Sequence, residues 1–114
     1  MKNKFIITQN YHSAKATKYS YIKNNDFTKI LSLFSRMLKA NQWKDYSFSL
    51  QKGNVIFCFY KHSFETPIYK IIYEKKSNNL ILWTTYHQNN KDRSSSSLEK
   101  TIKWIESRYL KPVD

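Results

Sequence analysis

The sequence predicts a two-layer α+β domain: an N-terminal helix, an antiparallel meander of four or five strands, and a C-terminal helix. Apolar residues recur at helical spacing between Phe27 and Leu38, and again between Leu98 and Tyr109. Between these stretches the period falls to two, in short runs separated by polar turns. Connections that short join antiparallel neighbours, because a parallel crossover needs about a dozen residues or more. Two amphipathic helices and one sheet bury their apolar faces against each other as two layers.

Taken in order, residues 1–18 read as a basic N-terminal arm, with a short strand at Lys4–Thr8, and residues 19–114 as one α+β domain. Tyr19–Ile22 reads as a strand entering the fold. Asn24 or Asn25 offers a side-chain oxygen to the orphan N–H groups of a first helical turn, and Asp26 complements the positive end of the dipole. Phe27, Ile30, Leu31, Phe34, Met37 and Leu38 then form the inward stripe of a helix over Asp26–Ala40, with Lys29, Ser32, Ser35, Arg36 and Lys39 away from it. Asn41 suits the left-handed position that closes a helix. In Tyr46–Leu50 apolar and serine residues alternate, as in a half-buried strand. "QKGN" holds the only glycine, Gly53, and reads as a tight hairpin. Val55–Lys61 is apolar on both faces and predicts a central strand. Strands over Pro67–Lys75 and Leu80–Tyr86 follow, separated by "KSNN". Residues 87–97, "HQNNKDRSSSS", read as a polar loop. Ser96 with Glu99 makes a capping-box pattern, and Leu98, Ile102, Ile105 and Tyr109, flanked by Trp104, mark a helix ended by Lys111-Pro112.

The chain carries 20 basic and 8 acidic side chains, a net charge of +12. Residues 1–61 hold eleven of the bases and only two of the acids. Codon bias accounts for lysine over arginine and less well for base over acid, and a charge of this size reads either as a binding field or as a solubilising surface. A field of this sign attracts polyanions, and nucleic acid is the commonest of these in cells. Basic residues also interleave with rings, as in Lys18-Tyr19, Trp43-Lys44, Tyr60-Lys61 and Tyr69-Lys70. Bases stack on aromatic faces while lysines hold phosphates, although rings also fill sheet faces for packing reasons. One cysteine, Cys58, forms no internal disulfide and fits a reducing compartment. No apolar run reaches the roughly 18–20 residues that span a bilayer, and the N-terminal apolar core Phe5-Ile6-Ile7 is too short for a signal peptide. A cytoplasmic location follows as an expectation.

Catalytic constellations are not evident. No two of His12, His62 and His87 share a metal-ligand spacing and the single Cys58 sits mid-strand, so neither a metal nor another cofactor is expected. One glycine cannot build a phosphate-cradling loop, and Cys58 within "VIFCFYK" reads as a small core residue. The expectation is a non-enzymatic module that binds RNA or DNA, with Lys15, Lys18, Lys23, Arg36, Lys39, Lys44 and Lys52 as its footprint. The alternative is a protein-interaction or regulatory module that pairs with another protein or with itself as a homodimer, through edge strands and surplus rings.

The segment from Asp26 to Ile71 carries a more specific pattern. Ile30-Leu31, Arg36-Met37, Trp43, Asp45-Tyr46, Phe57, Glu65, Pro67, Tyr69 and Ile71 stand in the order and spacing of an alphaproteobacterial family, the domain of unknown function 2794, which this segment resembles. Lys44 stands where that family has arginine, Asn41 where it has glycine, and a glycine-rich hairpin is not evident in residues 76–97. The resemblance implies a small, compact cytoplasmic protein. It implies no activity and no catalytic residues, so Arg36, Met37, Trp43, Asp45, Tyr46, Glu65, Pro67 and Tyr69 are expected to be structural. Trp43 is expected to pack across the helix–sheet corner. Asp45 is expected to cap the turn or pair with Arg36, for which Glu65 competes.

Overall fold

The structure is a computed structural model that describes residues 22–62 and 66–110. The expected strands at Lys4–Thr8 and Tyr19–Ile22, the arm, and the Lys111-Pro112 stop lie outside those residues, apart from Ile22. Helix α1 (Asn24–Lys39) leads into strands β1 (Asp45–Gln51), β2 (Asn54–Tyr60), β3 (Tyr69–Lys75), β4 (Ile81–His87) and β5 (Asn90–Ser95), and helix α2 (Leu98–Tyr109) closes the order. The five strands form one antiparallel meander in sequence order. The expected α+β architecture is therefore present, with the fifth strand.

α1 buries Ile30, Leu33, Phe34 and Met37, one stripe at i, i+3, i+4 and i+7. Two features differ from the sequence reading. The cap is Lys23, without a side-chain cap bond, in place of Asn24 or Asn25. Leu38, expected inward, is 41% exposed, and Leu33 fills the stripe in its stead. The helix stops where Asn41 turns left-handed, at φ 62°. Its N–H donates to the Leu38 carbonyl at 3.0 Å and that of Gln42 to the Met37 carbonyl at 2.9 Å, a Schellman closure that satisfies two orphan carbonyls. This reversal drops Trp43 into the core.

Short turns set the sheet register. Lys52 and Gly53 both take positive φ (53° and 82°) between the paired Gln51 and Asn54. Gln88 and Asn89 do the same (50° and 70°) between His87 and Asn90. Two consecutive positive-φ residues supply the twist a two-residue hairpin needs. At the third hairpin, Asn79 has φ 66° and Asn78 Oδ1 accepts from Leu80 N at 3.1 Å.

The stretch expected as a polar loop in fact holds β5. Its ladder with β4 breaks its register between Thr85 and Tyr86, a bulge that explains why Asn90–Ser95 shows no clean alternation. The cap of α2 is Ser97, one residue beyond the expected Ser96: its Oγ accepts from Lys100 N at 3.2 Å, so the Ser96–Glu99 capping box is not formed.

The core lies between the sheet and both helices. On that face Tyr46, Phe59 and Tyr69 align across β1, β2 and β3, followed by Phe48, Phe57 and Ile71, then Leu50, Val55 and Tyr73. Trp43 is 1% exposed and stacks on Phe59. The helices run in the same direction, because Lys29 pairs with Glu99 near their starts and Arg36 with Glu106 seven residues on. Arg36 is thus engaged by Glu106 and not by Asp45, whose Oδ1 accepts from its neighbour's backbone, Tyr46 N, at 2.7 Å.

Candidate nucleic-acid interface

Because side chains alternate along a strand, the residues between the core rows point to the other face of the sheet. None of the described helices covers that face. Register places Ser47, Cys58, Lys70, Tyr86 and Lys91 in one row across all five strands. The next row is Ser49, Ile56, Ile72, Thr84 and Ser94. Tyr60 stands at the end of β2 opposite Asp45, and its hydroxyl lies 3.1 Å from Ser47 Oγ. Tyr60, Lys70 and Tyr86 are half-buried. The Lys70 ammonium sits 5.7 Å from the centre of the Tyr86 ring, within cation–π range.

This face presents two rings beside the positive charge of Lys70 and Lys91, and Lys44 and Lys61 are exposed just beyond the ends of β1 and β2. The backbone N–H of Lys44 donates to the Tyr60 carbonyl at 2.6 Å, which continues the β1–β2 ladder by one bond. Few acids oppose them. Among the described residues, Glu74, Asp92, Glu99 and Glu106 are each already paired with Lys76, Arg108, Lys29 and Arg36. Lys44, Lys61, Lys70 and Lys91 have no such partner among the described residues, and Asp45, opposite Tyr60, is an exposed acid at the same edge.

Cys58 sits in the same row, half-buried on this face and not in the helix-side core as expected. Burial pushes its thiol up, against smaller lowering contributions from Lys70, Tyr60 and Ser47. A protonated thiol is a poor nucleophile.

The footprint expected from sequence is divided by the fold. Lys15 and Lys18 lie outside the described residues. Lys23 caps the start of α1, and Lys52 occupies the β1–β2 turn. Arg36 and Lys39 are on the last turn of α1. Lys44 precedes β1 and Lys52 follows it, so the strand separates them by about 26 Å at 3.3 Å per residue. Of these, only Lys44 borders the row containing Lys70 and Tyr86. Lys70, Tyr86 and Lys91 were not singled out as site residues, although strand parity holds the signal: in "YKIIY" Lys70 must face away from the buried Tyr69 and Tyr73. Among the residues expected to be structural, Met37, Trp43, Tyr46 and Tyr69 are buried, while Asp45 is exposed. Pro67 precedes β3, and Glu65 lies outside the described residues.

A second polar cluster lies on the helix side. The Asp92 carboxylate accepts from the Tyr69 hydroxyl at 2.8 Å, from Trp104 Nε1 at 3.1 Å and from an Arg108 guanidinium N–H at 2.6 Å. Arg93 lies over the Trp104 ring at 5.1 Å. Burial pushes the Tyr69 hydroxyl far up and that of Tyr109 up to about 12. The cluster ties β3, β5 and α2 together, and its three donors all point at the Asp92 carboxylate. Among the described residues no group of three His, Cys, Asp or Glu is placed to hold a metal ion, and no helix is long and apolar enough to cross a membrane.

With this geometry in place, comparison with known proteins adds one assignment. The family model described as Protein of unknown function (DUF2794) matches residues 20–91, well over half of the chain. The chain belongs to this family. The DUF2794 match runs from just before α1 into the start of β5, so it contains Tyr60, Lys70, Tyr86 and Lys91 and leaves out Asp92 and all of α2. No curated protein and no solved structure matches the chain.

Proposed function

We propose that this DUF2794 protein is a non-enzymatic, cytoplasmic module that binds single-stranded nucleic acid on the helix-free face of its sheet. The observation that carries the reading is the Lys70–Tyr86 pair, with its ammonium 5.7 Å from the ring centre, in a row that ends at Lys91. Tyr86 and Tyr60 supply stacking platforms, each worth about 1–3 kcal/mol per base. Lys44, Lys61, Lys70 and Lys91 neutralise successive phosphates. A single strand fits better than a duplex, because bases must be unstacked to lie on rings in a sheet face. The net charge of +12 supports fast, salt-sensitive association.

The test is fluorescence anisotropy of labelled single-stranded RNA and DNA across a salt series. Four phosphate contacts give a log–log slope of roughly −3 for a single strand. Absence of binding at low salt would remove the proposal. Tighter binding to duplex than to either single strand would also contradict it.

A further inference from the structure

A cleft of about 430 Å³ lies at the end of the sheet where β2 stops, β3 starts and the β4–β5 turn reverses the chain. Lys61 and His62 line it from just beyond β2, and Gln88 and Asn89 from the turn. Its remaining wall is the approach to β3, where Pro67 and Ile68 are half-buried and Thr66 is exposed. Small-ligand sites run from about 300 to 1,000 Å³, so the cleft has room for one nucleotide-sized group. The backbone on two of its sides is tied to the sheet. The Gln88 N–H donates to the Ile68 carbonyl at 3.0 Å, which extends the β3–β4 register by one residue. The Ile68 N–H donates to the Phe59 carbonyl at 2.9 Å. Groups placed on strands in this way are held more precisely than groups on free loops.

The cleft adjoins the helix-free face. Ile68 precedes the buried Tyr69 by one residue and Lys70 by two, so it shares the face of Lys70, about 7 Å along the strand. The row of Lys70 and Tyr86 is therefore followed directly by the cleft. Its lining supplies one ammonium, one imidazole, two carboxamides and one hydroxyl, and among the described residues no carboxylate. Ammonium and imidazole donate to phosphate oxygens, and carboxamides both donate and accept. A phosphate within a nucleic-acid chain is a diester with a single negative charge. At a chain end it is a monoester, with a charge of about −1.5 to −2 at pH 7 and three strong acceptor oxygens. Several donors in one cleft, with no acid among them, match the monoester better than the diester.

We infer, resting on the single-strand reading above, that this cleft takes the terminal phosphate monoester of the bound strand. Lys61 and His62 hold the phosphate oxygens, Thr66 adds a hydroxyl donor, and Gln88 and Asn89 meet the terminal nucleotide. Pro67 and Ile68 give that nucleotide an apolar wall. The next base lies on the sheet face toward Tyr86, and Lys70 meets the following phosphate. The strand then binds in one direction only, and the protein distinguishes a phosphorylated end from a hydroxyl end.

Anisotropy titrations of the full chain test it with one internally labelled single-stranded RNA in three forms: 5′-phosphorylated, 3′-phosphorylated, and with hydroxyls at both ends. A phosphate at one end is expected to raise affinity about tenfold, the scale of one hydrogen bond to a charged group, and a phosphate at the other end by less than about twofold. H62A/T66A changes two exposed positions and is expected to keep the wild-type circular dichroism. It should abolish the gain from the phosphate and leave the hydroxyl-ended RNA within about twofold of the wild type. Equal affinity for the three RNAs, an equal gain from either end, or a gain that survives in H62A/T66A would overturn the inference and leave the sheet-face reading standing. Failure of all three RNAs to bind at low salt would remove both.

Discussion

The indole of Trp43 lies on the ring of Phe59, with centroids 4.2 Å apart and planes 15° from parallel. Tyr69 and Tyr109 complete its surroundings at 5.8 and 6.4 Å. The Schellman closure at Asn41 delivers Trp43 to this position, where the end of α1, the middle of the sheet and the end of α2 meet. Trp43 is a packing corner and does not face a ligand.

W43A is therefore expected to destabilise the fold by about 3–5 kcal/mol, as for other buried rings cut to alanine. W43F retains a ring on Phe59 and should cost less than half of that. Urea denaturation followed by far-ultraviolet circular dichroism measures both.

Asp92 accepts from three donors on two elements. D92A leaves the Tyr69 hydroxyl and the Trp104 N–H unpaired and the Arg108 charge uncompensated. Hydrogen bonds to charged groups are worth about 1.5–3 kcal/mol each before relaxation, and Arg108 can turn to water, so a net loss of about 2–3 kcal/mol is expected. D92N keeps acceptor capacity for one or two donors and should fall between D92A and the wild type in the same urea assay.

The paired helices carry two exposed ion pairs, Lys29–Glu99 and Arg36–Glu106. Exposed pairs contribute little. A double-mutant cycle of R36A and E106A should give a coupling of less than about 1 kcal/mol, and 1 M NaCl should reduce it further. A coupling of several kcal/mol would show that these bridges, and not the apolar stripes, hold the helices together.

Tyr69 and Tyr109 stay protonated in the folded protein to higher pH than in the unfolded chain, because burial disfavours their charged forms. Their contribution to stability is complete below the ordinary tyrosine value near 10. It is lost as pH rises toward the folded value, about 12 for Tyr109. Alkaline unfolding and the appearance of tyrosinate absorbance should therefore coincide above about pH 10. A Y109F variant should resist this transition to higher pH.

The meander and both helices were legible because burial follows the period where one face of an element is covered. The run from Asn90 to Ser95 was not, for a physical reason. β5 lies at the sheet edge beneath α2, so its inward positions receive Trp104 and Arg108 and carry Asp92 and Arg93 instead of apolar side chains. A strand whose inward side chains are polar, with Asp92 bonded to Trp104 and Arg108 and with Arg93 over the Trp104 ring, reads as a loop. The ends of α1 and α2 shifted for a smaller reason: neighbouring polar residues, Asn24 beside Asn25 and Ser96 beside Ser97, compete as caps, and tertiary docking selects the turn. The candidate interface residues were obscured by the +12 charge itself. Lysines are everywhere in the sequence, and only register separates Lys70, beside Tyr86, from lysines distributed around the rest of the surface.

The central claim is that ligand contact is made by the helix-free sheet face, and paired variants in one anisotropy titration test it most directly. K70A/Y86A removes a charge and a ring from that face, whereas K100A/K103A removes two charges from the exposed side of α2. The account predicts that K70A/Y86A lowers affinity for single-stranded RNA at least tenfold, which corresponds to a loss of about 1.4 kcal/mol or more, while K100A/K103A stays within about threefold of the wild type. Equal losses in the two variants, or a greater loss for K100A/K103A, would contradict it.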